Sequence, residues 1–99
     1  MDPYGFLIFE FSKVHYEFAR DGFILTATAD SHPVVCAVSR AALEAFSGSS
    51  CDPDEPLTLY KEWETQMRNL MSAKHRRGGF EPDGSVVVRS GDIAALMST

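Results

Sequence analysis

The chain has 99 residues, of which 44% are hydrophobic and 23% are charged, and its formal net charge is −5. These values predict one globular domain over residues 1–99 and argue against a disordered chain. The negative charge opposes nonspecific attraction to nucleic-acid backbones. No apolar run is long enough to span a bilayer, and the N-terminus lacks the basic region of a signal peptide, so we expect a cytoplasmic protein with no membrane partner.

The first predicted strand, Gly5–Phe11, has apolar side chains on both faces. Alternation puts Leu7 and Phe9 on one side and Phe6 and Ile8 on the other. Two arrangements explain this pattern: a central strand covered on both faces, or a strand with one face against a partner. For a small domain we favour self-association, through this strand or the long helix described below, as a twofold dimer.

A β-hairpin is predicted next. The segments 14–19 and 23–29 flank Asp21-Gly22, a dipeptide that favours a two-residue type I′ turn. This turn pairs Phe18 with Leu25, and it places apolar side chains on one face and polar side chains on the other.

An apolar strand follows a break at His32-Pro33 and leads into a short helix. Cys36 and Val38 project from the same face of this strand, which we assign to the core. Ser39 is predicted to cap the helix, because its hydroxyl can accept a hydrogen bond from an N–H of the first turn. Gly48 is suited to end the helix in a left-handed conformation.

The longest predicted element is a helix over Pro56–Arg77. Its inward side chains recur at spacings of three and four and form one stripe, which consists of Tyr60, Trp63, Met67, Leu70, Met71 and Lys74. Gly78-Gly79 supplies the stop. A second hairpin is then predicted around Asp83-Gly84, followed by a short helix over Ile93–Met97.

These elements predict an α+β fold. We expect an antiparallel sheet of four to six strands, packed against one long and one short helix, with a short C-terminal helix.

Two short segments carry a resemblance to a known family. One is the step from strand to helix over Cys36–Leu43, CAVSRAAL, and the other is RSGDI over Arg89–Ile93. Together they resemble the bacterial family known as domain of unknown function 1488, over roughly residues 23–93. The chain departs from the family pattern at Ala41, where an acidic residue is commoner, and at Asp83-Gly84, which makes a fuller turn than many members have. The resemblance implies a compact α+β fold and no known reaction.

Basic residues gather toward the end of the long helix, and two interpretations stay open. Such a cluster can bind the phosphates of nucleic acid or of a phosphorylated ligand. Positive charge at a helix C-terminus also offsets the helix dipole without any ligand. The candidate binding residues are Arg68, Lys74, Arg76 and Arg77.

The residue types of catalytic and metal sites do not form a recognisable pattern. Cys36 and Cys51 are too few for a disulfide scaffold, and we expect free thiols. Cys51 is predicted in a polar loop beside Asp52, whose carboxylate would raise the thiol pKa and disfavour catalysis. His32 and Cys36 are about 13 Å apart along a strand, too far to share a metal ion. We therefore predict no catalytic residue, no metal site and no cofactor.

The leading functional prediction is a non-enzymatic interaction or regulatory module that forms a homodimer in a bacterial cytoplasm, with an unidentified protein as a further partner. The alternative is nucleic-acid or phosphate-ligand binding by the basic residues of the long helix. An enzyme would need a pocket that collects His, Cys and carboxylate groups from distant parts of the chain. An apolar surface without such groups favours the first function, and salt-sensitive binding favours the second.

Overall fold

The computed structural model describes residues 7–9, 14–29 and 31–97, in which a five-stranded sheet packs against four helices. The strands are β1 (Ile8–Phe9), β2 (His15–Glu17), β3 (Gly22–Ala29), β4 (His32–Ser39) and β5 (Val86–Val88). The helices are α1 (Arg40–Ser47), α2 (Pro56–Glu62), α3 (Glu64–Arg76) and α4 (Ile93–Met97), with a 3₁₀ turn at Ser90–Asp92. The predicted α+β class and the C-terminal helix are confirmed. The first predicted strand is described only at Leu7, Ile8 and Phe9, and the rest of it lies outside the described residues.

The sheet is mixed. β3 pairs antiparallel with β1, β2 and β4. These three pairings agree with the antiparallel sheet that the sequence predicts. β5 instead runs parallel to β4, with Val38 opposite Val88. The second hairpin predicted around Asp83-Gly84 is wrong, because only its second arm forms a strand, β5, and this strand pairs with β4. Because α1, α2 and α3 lie between β4 and β5, the chain crosses back before β5 and enters the sheet in the parallel direction.

The hairpin of β2 and β3 has a longer turn than predicted. Tyr16 pairs with Phe23, and four residues lie between the two strands, the last of which, Asp21, has a φ of 49°. The predicted pairing of Phe18 with Leu25 is wrong, because Phe18 belongs to the turn and is 80% exposed. The register differs by an even number of residues, so Tyr16 still faces the core.

The predicted break at His32-Pro33 is also wrong, since β4 begins at His32, opposite Ala29. Pro33 lies inside this strand and opposite Thr28. β5 pairs with β4 from Cys36 onward, and no other strand of the described residues lies beside Pro33 on that side. The missing N–H of proline therefore breaks no pairing with β5.

The predicted boundaries of α1 are confirmed. The hydroxyl of Ser39 accepts a hydrogen bond of 3.0 Å from the N–H of Ala42. Gly48 ends the helix with a φ of 73°, and its N–H donates to the carbonyl of Glu44. At each end, therefore, a backbone group that a helix otherwise leaves without a partner has a hydrogen bond.

The single long helix predicted over Pro56–Arg77 is interrupted. Trp63, with φ −113° and ψ 18°, separates α2 from α3. The inward stripe survives the break, and Tyr60 and Met67 are fully buried. The predicted stop is confirmed by Gly78, which has a φ of 70°.

The core lies between one face of the sheet and the helices. Phe23 of β3 is fully buried and stacks on Tyr60 of α2, with ring centres 5.0 Å apart. Cys36 and Val38 lie on the same side, as the alternation in β4 predicted. Across the part of the chain that the structure describes, no helix combines the length and hydropathy needed to cross a membrane.

Candidate interaction surfaces

The sheet face opposite the helices carries no helix in the described part of the chain, and we name it the open face. Pleating directs to it the alternate side chains of β3 and β4 that do not enter the core. Ile24, Ala37 and Val87 line its central groove, where Ile24 and Ala37 are buried. Val35 is 43% exposed, and Ile8 of β1 is 66% exposed. Thr26 and Thr28 of β3 lie on the same face, opposite Val35 and Ile8. A sheet face in contact with water normally carries polar side chains, so the exposed apolar residues among them make this mixed face a candidate interface.

Charged residues of both signs border the groove, whose volume is about 740 Å³. Arg89 forms an ion pair of 2.5 Å with Glu81, and Arg20 pairs with Glu17 at 3.3 Å. The hydrogen bond from Arg89 holds the pKa of Glu81 below its usual range. Hydrogen bonds from the hydroxyl and the N–H of Ser85 hold the pKa of Asp83 below its usual range. The rim of the open face therefore presents fixed positive and negative charges side by side.

Lys74, a candidate phosphate-binding residue, is held inside the structure. Its side chain is 15% exposed, and its Nζ donates to the carbonyl of Val87 at 2.6 Å and to Asp92 at 2.8 Å. Burial raises the pKa of Asp92, but the hydrogen bonds from Lys74 and from the Arg89 N–H outweigh it and lower the pKa. Lys74 thus links the end of α3 to the edge strand β5. Gly79 leaves room for the stem of Lys74, since a Cβ there would lie 2.9 Å from its Cγ.

The other three basic candidates have different surroundings. Arg68 pairs with Glu64 at 3.5 Å, and its guanidinium lies 5.4 Å from the ring centre of Phe9. Arg77 is exposed and donates to the carbonyl of Ala95 at 3.1 Å. Arg76 is exposed at the end of α3. Phosphate binding by these residues stays a prediction.

A polar network that sequence reasoning missed joins the β2–β3 turn to the loop after α1. Tyr16 donates its hydroxyl proton to Asp21, and Arg40 donates to both carboxylate oxygens of Asp21, at 2.9 and 3.0 Å. Arg40 also donates to Glu44 at 2.9 Å, and the N–H of Cys51 donates to Glu44 at 2.7 Å. The hydrogen bonds from Arg40 and Tyr16 lower the pKa of Asp21. Only the Arg40–Glu44 spacing of one helical turn could have been found from the sequence.

The two thiols are free and buried. Cys51 was predicted in a polar loop, but it packs in the core, with its Sγ 3.4 Å from the carbonyl of Pro56. Burial and the Glu44 carboxylate raise its pKa, and burial raises the pKa of Cys36 to about 12. Both thiols therefore stay protonated at neutral pH, whereas a nucleophile must be a thiolate. Across the described residues, no three His, Cys, Asp or Glu side chains are placed to hold a metal ion.

Comparison with protein-family models matches residues 7–88 to "Protein of unknown function (DUF1488)". The chain belongs to the DUF1488 family. A crystal structure of a DUF1488 protein of unknown function from Shewanella loihica PV-4 has the same fold, with a TM-score of 0.73. That alignment covers 83% of this chain and 90% of the other, at 16% identity. A search of curated proteins gave no match.

The DUF1488 match confirms the resemblance inferred from two motifs, and it starts earlier, at residue 7. In this DUF1488 protein the motif side chains hold the fold together. Cys36 and Leu43 are fully buried, and Ser39 caps α1. Asp92 accepts hydrogen bonds from Lys74 and from the N–H of Arg89.

A second exposed apolar surface of this DUF1488 protein surrounds Phe18. The Phe18 ring stands edge-on to Tyr16, with ring centres 5.0 Å apart and an angle of 86° between the planes. A hollow of about 220 Å³ and a shallower one of about 610 Å³ adjoin it, and both are also lined by Pro53 and Pro56. We define the Phe18 surface as Tyr16, Phe18, Pro53, Pro56 and Leu57. The hydrophobic pattern of the sequence did not indicate this surface, because the predicted register placed Phe18 in the sheet.

Proposed function

We propose that this protein is a non-enzymatic interaction or regulatory module that acts as a homodimer in a bacterial cytoplasm. The open face carries the proposal, because its exposed apolar side chains Ile8 and Val35 contribute binding free energy when a partner removes them from water. The first strand supports the proposal, because its Leu7 and Phe9 pack on the core while Ile8 is exposed. Two free thiols support a reducing compartment.

The sheet sets the size of the open face. β3 and β4 have eight residues each, whereas β1, β2 and β5 have two or three. With a rise of about 3.3 Å per residue and about 4.8 Å between strands, this face measures on the order of 400 Å². Two such faces bury on the order of 800 Å², the size of a weak or transient interface.

The charged rim supports a twofold arrangement. In a twofold dimer every contact occurs twice: if one residue of the first copy contacts another residue of the second copy, the same two residues also meet with the copies exchanged. Arg20 and Arg89 of one copy can therefore face Glu81 and Asp83 of the other, twice in the same interface. Such rim pairs contribute little affinity, but they set the orientation and exclude mismatched partners.

We expect Val35→Glu to convert a dimer into a monomer. The substitution places a carboxylate inside the proposed contact, where burial without a counter-ion costs several kcal/mol, so the dissociation constant should rise at least about tenfold. Val35 is 43% exposed in the protomer, and folding should tolerate the change. Light scattering at low and high micromolar concentration should give twice 10.9 kDa for the wild type and 10.9 kDa for the variant.

Met97→Glu is the matched control, because Met97 is 59% exposed on α4, away from the open face. It should leave the mass at twice the protomer value. A monomeric wild type at high micromolar concentration, or equal masses for the Val35 and Met97 variants, would contradict a dimer through the open face.

Nucleic-acid or phosphate-ligand binding through Arg68, Lys74, Arg76 and Arg77 remains the second hypothesis. The exposure of Arg76 and Arg77 at the end of α3 supports it. Two guanidinium groups at a helix end can contact successive phosphates, and such binding weakens steeply with salt.

We expect the double variant Arg76→Gln, Arg77→Gln to lose salt-sensitive oligonucleotide binding, because it removes both exposed guanidinium groups. Fluorescence polarisation with labelled single- and double-stranded oligonucleotides, at low and moderate salt, measures this loss. Lys61→Gln, at an exposed position of α2, is the control and should change little. If the wild type does not bind at low salt, or if binding is independent of salt, the hypothesis is wrong.

A further inference from the structure

We propose that the Phe18 surface binds a short basic segment of a partner protein. An apolar side chain of the segment would enter the hollow beside Phe18, and neighbouring Lys or Arg side chains would contact acidic residues on its rim. This site lies apart from the open face, so the inference does not depend on dimer formation.

The first argument is the exposure of Phe18 itself. Its side chain is 80% exposed, although a buried Phe adds about 1.5–3 kcal/mol of stability by leaving water. Tyr16 contacts the ring edge-on, with 5.0 Å between ring centres. Pro53, Pro56 and Leu57 line the hollow beside it. Aromatic rings with an open apolar hollow alongside are the typical anchors of protein interfaces.

The second argument is that hydrogen bonds join the segments on both sides of the hollow before anything binds. The network of Tyr16, Asp21, Arg40 and Glu44 joins the turn that carries Phe18 to the backbone N–H of Cys51. The Arg40–Asp21 contact uses two parallel hydrogen bonds, a geometry that fixes both side chains. Side chains that are already held by hydrogen bonds lose little conformational entropy when a ligand enters the hollow.

The third argument is the charge of the rim. Asp54 and Glu55 line the larger hollow, and the exposed Asp52 precedes them. The cation at the smaller hollow, Arg40, is already paired with two carboxylates. The rim therefore attracts positive charge and repels acidic segments and nucleic acid, in a protein whose net charge is −5.

A random peptide library displayed on phage tests the proposal with the folded full chain as bait. We expect enriched peptides to combine at least two Lys or Arg residues with an aliphatic or aromatic residue. Phe18→Ala should weaken individual labelled peptides at least about tenfold in fluorescence polarisation. The double variant Asp54→Asn, Glu55→Gln should weaken them severalfold and reduce the salt dependence, because it removes the rim charge.

Two variants serve as controls. Met97→Ala removes an exposed apolar side chain elsewhere and should leave peptide binding unchanged. Val35→Glu should also bind as the wild type does, so that the failure of the dimer and the failure of the peptide site are distinguishable. No enrichment, enrichment of acidic peptides, or equal binding by the Phe18→Ala protein would each overturn the proposal.

Discussion

Phe23→Ala is expected to lower the free energy of unfolding by about 3–5 kcal/mol, the usual cost of removing a buried ring and leaving a cavity. Phe23 is fully buried, stacks on Tyr60 and lies 5.3 Å from Tyr16 between ring centres. Domains of this size are stable by about 5–15 kcal/mol, so this one ring accounts for a large share of the total. Urea denaturation followed by circular dichroism measures the loss.

Phe18→Ala is the matched control, the same substitution at a position that is 80% exposed. It should change the free energy of unfolding by less than about 0.5 kcal/mol. The pair also tests the hairpin register, because the type I′ turn predicted from sequence would place Phe18 in the core beside Leu25. A loss of several kcal/mol in the Phe18 variant would contradict the four-residue turn.

Lys74→Met is expected to lower the free energy of unfolding by about 2–3 kcal/mol at neutral pH, because hydrogen bonds to charged groups are lost in a partly buried site. Methionine retains most of the apolar stem but has no ammonium group for the carbonyl of Val87 and the carboxylate of Asp92. Urea denaturation gives the difference. Lys61→Met, at an exposed position of α2, is the control and should stay within about 0.5 kcal/mol.

The effect of Lys74→Met should depend on pH in a defined direction. The pKa of Asp92 is lowered in the folded protein, so its ionised form adds stability above the unfolded pKa of about 3.9. That stability is lost as the pH falls through the folded pKa. The difference between wild type and variant should therefore be largest near pH 7 and shrink below about pH 4. A difference that is constant with pH would show that Asp92 is not the partner responsible.

Local patterns in the sequence were sufficient to predict the fold class and several boundaries. Alternation along β4 placed Cys36 and Val38 in the core, and the spacing of Tyr60 and Met67 located the buried side of the later helices. The cap at Ser39 was predictable because a cap depends on residues within one turn. All these features depend on neighbours in the chain, and a single sequence displays them directly.

The candidate surfaces were less predictable. The outward side of the first strand pointed to Ile8, but the open face also needs Val35 and Val87, which come from strands far apart in the chain. The basic cluster was visible as a run of charges, whereas the role of Lys74 depends on Asp92, 18 residues later. The Phe18 surface was hidden, because a shift of register moved that ring from the sheet to a turn.

By itself the sequence determined an α+β domain of the DUF1488 family, the inward faces of its strands and helices, and the ends of α1. Only the tertiary structure decided the parallel placement of β5, the register of β2 against β3, the break at Trp63 and the partners of Lys74. The physical reason is the range of the forces involved. Caps and periodicities act between residues a few positions apart, while strand pairing and buried ion pairs depend on how the whole chain removes its apolar surface from water.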